Sequence, residues 1–276
     1  MSKSKSPLSD RYGPPAEHLA ENESYERLQA MIARGSCRSF QPTPVDVELI
    51  RLLCAAALAS PTKSDLQQRD IIVVNDSVKK AALLELLRGQ SWTADIPHLL
   101  VFCGNNKRQR LLHKLRGHPF ANDHLDAFFN AAVDAGIALS TFVTAAEAVG
   151  LGCCPISAIR NFPDEVGQLL NLPKHVFPVA GLALGYPIAD SRWISPRLSL
   201  ETTVHFDQYN DEAVEEEIDS YDARRNEVMP YGAQRGEDRF GASANYGWSE
   251  DKARQYALEE RRDFGSYIRR QGFDLS

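Results

Sequence analysis

Apolar residues in this chain fall into short runs separated by polar punctuation, and their spacing predicts alternating helices and strands. Stretches with helical periodicity predict helices over about residues 24–34, 45–59, 77–88, 107–115, 122–150 and 163–171, with further helix near the C-terminus. Short β-branched or apolar runs bounded by Gly, Pro or Asn predict strands over about 70–75, 98–103, 152–157 and 177–184. Such alternation puts helices on both faces of a sheet. From Ala127 to Gly150 the apolar residues run round the whole helix, Phe128, Ile137, Leu139, Phe142 and Val149 among them. A helix without a polar face is expected to be buried on every side. Residues 1 to about 22 are polar, with Ser-Lys repeats and Pro14-Pro15, and are expected to form a mobile or surface-draped tail.

Composition narrows the function classes. With 276 residues, 43% apolar and 25% charged, the chain suits one domain with an extension, or two small ones. A formal charge of −6 argues against nucleic-acid binding, which needs a basic face to displace counterions. No long apolar run and no signal-peptide h-region appear, so a soluble, cytoplasmic protein with no membrane partner is expected. The five cysteines, Cys37, Cys54, Cys103, Cys153 and Cys154, are odd in number and mostly lie in apolar stretches. They read as buried thiols in a reducing compartment.

Candidate chemistry begins at Arg34-Gly35-Ser36-Cys37-Arg38, where two arginines at i and i+4 flank a serine. Guanidinium forks and a hydroxyl are the groups that grip a phosphate. Further on, Ser60-Pro61-Thr62-Lys63-Ser64-Asp65-Leu66-Gln67-Gln68 is rich in hydroxyls and amides and lies between a helix and a strand. Neutral hydrogen-bonding groups of this kind suit a polyol chain or a heterocycle edge better than a metal. Gly150-x-Gly152 lacks a third glycine and follows a helix, so a dinucleotide fingerprint is not expected. Cys153-Cys154 has neither CxxC spacing nor a nearby His pair, which argues against zinc and thiol-exchange chemistry, so no metal site is expected. GxSxG and HExxH are absent.

Four segments in this order, Arg34–Phe40, Ala59–Gln68, Val149–Asn161 and Leu182–Arg197, resemble the FMN-dependent nitroreductase family. The long C-terminal arm resembles that of its oxygen-insensitive NADPH nitroreductase and flavin reductase branch. The resemblance implies an α+β, three-layer α/β/α fold with a mixed, mainly antiparallel sheet. After the tail over 1–22 it implies an FMN-binding domain over 23–200 and a C-terminal arm over 201–276 that wraps the partner subunit of a homodimer, with the helix 127–150 reaching the dimer interface and the flavin pocket built from both subunits.

Carried over residue by residue, the resemblance gives Arg34, Ser36, Arg38 and Arg197 to the FMN phosphate and ribityl chain. It gives Thr62, Ser64, Gln67 and Gln90 to the flavin, and Ile156 and Ser157 to a backbone lining of the ring. Arg235 and Arg239 are implied for the extra phosphate of NADPH. No side chain is expected to be catalytic, because FMN itself carries the chemistry. The implied activity is ping-pong hydride transfer from NADPH or NADH to a small-molecule acceptor such as a nitroaromatic, quinone or flavin. The chain departs from the family pattern at Gly35, Asp65, Ser157-Ala158 and Ser195. Those departures leave open a flavin-binding or flavin-handling protein with little turnover.

Overall fold

The computed structural model describes residues 7–12, 26–188 and 194–276. In chain order the elements are α1 (Pro7–Tyr12), α2 (Glu26–Ile32), α3 (Val47–Leu58), β1 (Arg69–Val74), α4 (Ser77–Leu86), β2 (His98–Asn105), α5 (Lys107–Arg116) and α6 (Leu125–Ala148). They continue with β3 (Gly152–Ile156), α7 (Pro163–Leu169), β4 (Val176–Gly185), α8 (Leu200–Thr203), α9 (Val214–Val228), α10 (Glu237–Phe240), α11 (Trp248–Tyr256) and α12 (Phe264–Arg270). The helices and strands expected between residues 24 and 184 are all present, with ends shifted by a few residues. Asp46 and Asp76 start α3 and α4 by accepting backbone N–H bonds from Glu48 and from Val78 and Lys79. Gly117 ends α5 in the left-handed conformation a glycine adopts without strain.

The described residues form two compact units, one of residues 7–12 and 26–35 with 194–260 and one of residues 36–188 with 261–276. The second unit holds the sheet, in strand order β1-β2-β4-β3. Every pairing among the described strands is antiparallel, so the mixed element expected of the sheet is not found among these residues.

Both faces of the sheet are covered, and the strand pleat sorts the side chains between them. Leu99, Val101 and Cys103 of β2 face one cluster with Leu83 of α4 and Val166 of α7. Leu100 and Phe102 face the other, with Ile50 and Leu53 of α3 and Ala138 and Phe142 of α6. This is the three-layer architecture. Phe102 and Phe142 meet edge to face at 5.7 Å, a geometry worth about 0.5–1.5 kcal/mol beyond the area buried.

Three expectations need correction. First, α6 is not buried all round: Leu125, Phe129, Val133, Gly136 and Ser140 form an exposed stripe at helical spacing. Its opposite side fills the core, where Ala138 is fully covered, so the protomer's own core ends along one line of the helix. By length and composition α6 is also apolar enough to cross a membrane, which the reading of no long apolar run overlooked. Second, the N-terminal segment is not wholly a loose tail, because residues 7–12 are helical and Arg11 is buried. The rest of that expected tail lies outside the described residues.

Third, the C-terminal arm is not one body. Residues 261–276 belong with the sheet unit, where Tyr267, Ile268 and Phe273 pack against Ala127, Ala131 and Phe177. The spacing of Phe264, Tyr267 and Ile268 gives α12 an apolar face that the charged stretch before it lacks.

His98, at the start of β2, accepts a hydrogen bond on Nε2 from the backbone N–H of Val45 at 2.9 Å. Burial, then the nearby Lys80, lowers its pKa from the ordinary 6.5, so the folded state favours the neutral ring. The stabilisation is complete above the unfolded value of 6.5 and is lost as pH falls from there through the lower folded value. Thermal melts from pH 8 to pH 5 should therefore show wild type losing stability on the acid side faster than His98→Gln. Parallel curves would remove this role from His98.

Candidate functional site

The structure places the sequence-derived site residues in three sets, each positioned by backbone features. The first is the segment through residues 36–41, which is laid onto the sheet. Cys37 N–H donates to Cys153 O at 2.9 Å, Gln41 N–H to Tyr186 O at 2.8 Å, and Ile188 N–H to Ser39 O at 3.1 Å. Gly152 permits the close approach: a Cβ there would stand 2.6 Å from Cys37 Sγ. With Gly35 and Cys37 turned inward, Ser36 is half-buried and Arg38 exposed. The Arg38 guanidinium lies 5.8 Å from the centre of the Trp92 ring, beside the turn that carries Gln90. Gln90 lines a cavity of about 360 Å³ together with Arg88, Ser91 and Thr93.

The second set is the loop between α3 and β1. Thr62 and Gln67 are brought together, with Gln67 N–H donating to Thr62 Oγ1 at 3.4 Å, while Gln67 Nε2 donates to Asp65 Oδ1 at 3.3 Å. Ser64, Asp65 and Gln67 all have left-handed backbone, with φ of 49, 55 and 52°. Each such residue other than glycine costs about 1 kcal/mol or more. The surroundings of the loop overcome that cost and leave Ser64 and Gln67 exposed. Beside β3, which pairs with the first segment, Ile156 points its side chain into the core and Ser157 is exposed. The Ile156 side chain is therefore not available to a ring, and only its backbone is left for that role.

The third set lies in the unit of residues 7–12 and 26–35 with 194–260, where buried Arg11 ties two arginine-bearing segments together. Its guanidinium donates to Ile32 O at 2.6 Å, to Ser195 O at 3.0 Å and to Arg34 O, and its own carbonyl accepts from Arg197 N–H at 2.7 Å. Arg34 and Arg197 are thereby linked through one residue that the sequence reading assigned to a loose tail. The Arg197 guanidinium is exposed and donates to Ser195 O and Pro196 O at 3.2 and 2.9 Å.

In the same unit Arg235 and Arg239 are in different states. Both are exposed, but Arg235 Nε pairs with Asp251 at 3.3 Å, whereas the Arg239 guanidinium lies 5.5 Å from the Phe240 ring centre. Burial pushes the Asp251 carboxyl up, but Lys252, Tyr246 and Arg235 together hold it below the ordinary carboxylate value.

Sequence reasoning missed the residues that hold the loop. Asp134 is 1% exposed in the middle of α6, and its carboxylate accepts from Lys63 N–H and Gln68 N–H, both at 3.0 Å. Buried Arg69 donates from Nη2 to Leu58 O and Ser60 O at 2.7 and 3.0 Å. Arg108 donates to Gln67 O at 2.6 Å and to Asp70 at the same distance. Burial lowers the pKa of the Arg69 guanidinium below its ordinary value, an effect that Asp134 opposes. One signal was available in the sequence, since an acid among Ala131, Ala135 and Ala138 must meet buried partners.

Comparison with known proteins gives the family of the chain. Residues 31–186 match the nitroreductase family, and residues 195–276 match the C-terminal domain of that family. The chain is 33% identical over 255 residues to the FMN reductase (NAD(P)H) of Bacillus subtilis strain 168, covering 91% of this chain and 98% of that protein. It is also 33% identical, over 250 residues, to the oxygen-insensitive NADPH nitroreductase of Salmonella typhimurium strain LT2, covering 89% of this chain and 97% of that one. Among solved structures, B. megaterium NfrA2 superposes with a TM-score of 0.81 at 31% identity, covering 91% of this chain and 99% of that one. The NADPH:FMN oxidoreductase of Vibrio harveyi, solved in complex with NAD+, gives a TM-score of 0.75 at 28% identity, covering 89% and 97%. The chain belongs to the nitroreductase family.

Proposed function

We propose that this chain is an FMN-dependent NAD(P)H oxidoreductase that passes electrons from a nicotinamide donor to nitroaromatics, quinones or flavins. The observation that carries the reading is the loop Thr62–Gln67, whose strained backbone presents neutral hydrogen-bonding side chains beside β1. The donor set fits FMN. Ser36 and the arginines Arg34, Arg38 and Arg197 answer a dianionic phosphate, while Thr62, Ser64, Gln67 and Gln90 answer a ribityl chain and the polar edge of a flavin. The backbone of Ile156 and Ser157 supplies a flat lining. Bound FMN supplies the hydride relay between donor and acceptor, while the protein binds and orients it. No side chain is then required as a general acid or base.

The exposed stripe of α6 supports a homodimer, since a second copy would cover it and give the helix the all-round burial its composition calls for. Residues 201–260 are assigned to wrapping the partner subunit. The five cysteines carry no disulfide, which accords with a reducing cytoplasm. Absorbance of the purified protein and chromatography of the released cofactor test the FMN assignment. Parallel-line steady-state kinetics with NADPH and a quinone test the two-step transfer. Bound flavin with no turnover would favour a flavin-handling protein instead.

For donor choice, Arg239 is better placed than Arg235 to meet the 2′-phosphate of NADPH, because Arg235 is already engaged by Asp251. Removing a charge-assisted contact costs about 1.5–3 kcal/mol, so Arg239→Ala should lower kcat/KM for NADPH roughly 10- to 150-fold. Arg235→Ala should do less, and NADH should be nearly unaffected by either. Equal losses for both nicotinamides would remove phosphate recognition from these residues.

A further inference from the structure

The geometry points to Asp134, assisted by Arg69, as a positioning residue that sets the flavin-side loop in its binding conformation before the cofactor arrives. The inference rests on the reading that residues 62–67 lie along FMN. Asp134 is the polar centre of the α6 contact with this loop, and its two carboxylate oxygens hold backbone N–H groups at both ends, Lys63 and Gln68, at 3.0 Å each. Between those two anchors lie all three left-handed residues, Ser64, Asp65 and Gln67.

Arg69 closes the base of the same loop by gripping the carbonyls of Leu58 and Ser60. A backbone that pays for three unfavourable φ values without these bonds would relax into other conformations and scatter the Thr62, Ser64 and Gln67 side chains. Ser60 Oγ, Gln68 Nε2, and Nε and Nη1 of Arg69 are buried without hydrogen-bond partners around this anchor. Polar groups so placed make the site sensitive to any loss of its remaining bonds. Asp134 touches only the backbone of the loop, so it acts through the loop and takes no part in electron transfer.

Asp134→Asn tests the role. The amide keeps the shape but presents an NH₂ group to one loop N–H, leaving that donor unpaired. Hydrogen exchange on the full-length protein freed of FMN should show the amides of Lys63 and Gln68 losing roughly tenfold or more of their protection, with that of Val101 in the sheet unchanged. FMN titration should show roughly tenfold weaker binding, while kcat at saturating FMN stays at the wild-type value. A merely structural role would lower stability and leave affinity and loop protection alike.

If Asp134→Asn does not fold, Arg69→Lys provides the second arm. It keeps the buried charge but loses the fork to two carbonyls, and should shift loop exchange and FMN affinity in the same direction. Retained protection, or unchanged FMN affinity in a variant whose loop amides exchange freely, would overturn the positioning role alone. A wild-type protein that binds no FMN would overturn the flavin reading as well.

Discussion

Val133→Arg should convert the proposed homodimer to a monomer at micromolar concentration while leaving each protomer folded. Val133 is 41% exposed and Phe129, one turn away on α6, is 59% exposed. Placing an unpaired guanidinium in a dry contact costs several kcal/mol, which raises the dimer dissociation constant on the order of a thousandfold. Ala138 provides the contrast. It is fully buried against the core of its own protomer, so Ala138→Arg should unfold the chain and not merely dissociate it. Sedimentation equilibrium and circular dichroism of the two variants separate these outcomes. Wild type sedimenting as a monomer would show that the stripe is not a contact between copies.

Arg38→Ala weakens FMN binding roughly 30-fold or more and changes thermal stability little. Removing one partner of a charge pair that binding desolvates costs about 2 kcal/mol or more, equivalent to that factor in affinity. In the unliganded protein Arg38 is exposed, and its described contact is with the Trp92 ring. An exposed contact of that kind is worth about 0.5–1 kcal/mol, so folding has little to lose. FMN titration beside a thermal melt reads both quantities. Unchanged affinity would remove Arg38 from the phosphate site.

The sheet was legible because both its faces are buried. Strands such as Leu99–Cys103 and Val179–Leu184 are continuous apolar runs whose neighbours can lie only above and below. Arg34, Ser36 and Arg38 stood out as candidates because phosphate chemistry needs those residue types close together in the chain. The supports of the site were not legible. Asp134 and Arg11 act over separations of 66 and 184 residues on backbone groups, which every residue carries and no sequence pattern marks. The division of the arm was hidden for a different reason. The apolar face of α12 is only one turn or two long and follows directly on the charged stretch to Glu260, so nothing local marks that it packs against Phe128 and Phe177. Which residues of α6 form the exposed stripe was not legible, because apolar periodicity reports burial without telling a protomer core from a contact between protomers; only the family resemblance pointed this helix to a dimer interface.

The central claim is that this chain holds FMN and uses it to move electrons between two small molecules. Anaerobic mixing of the FMN-loaded protein with NADPH should bleach the flavin absorbance within the time of a turnover, and a quinone added afterwards should restore it stoichiometrically. Flavin that stays oxidised under excess NADPH and NADH, or that bleaches but is not restored by any nitroaromatic, quinone or free flavin, would contradict the account.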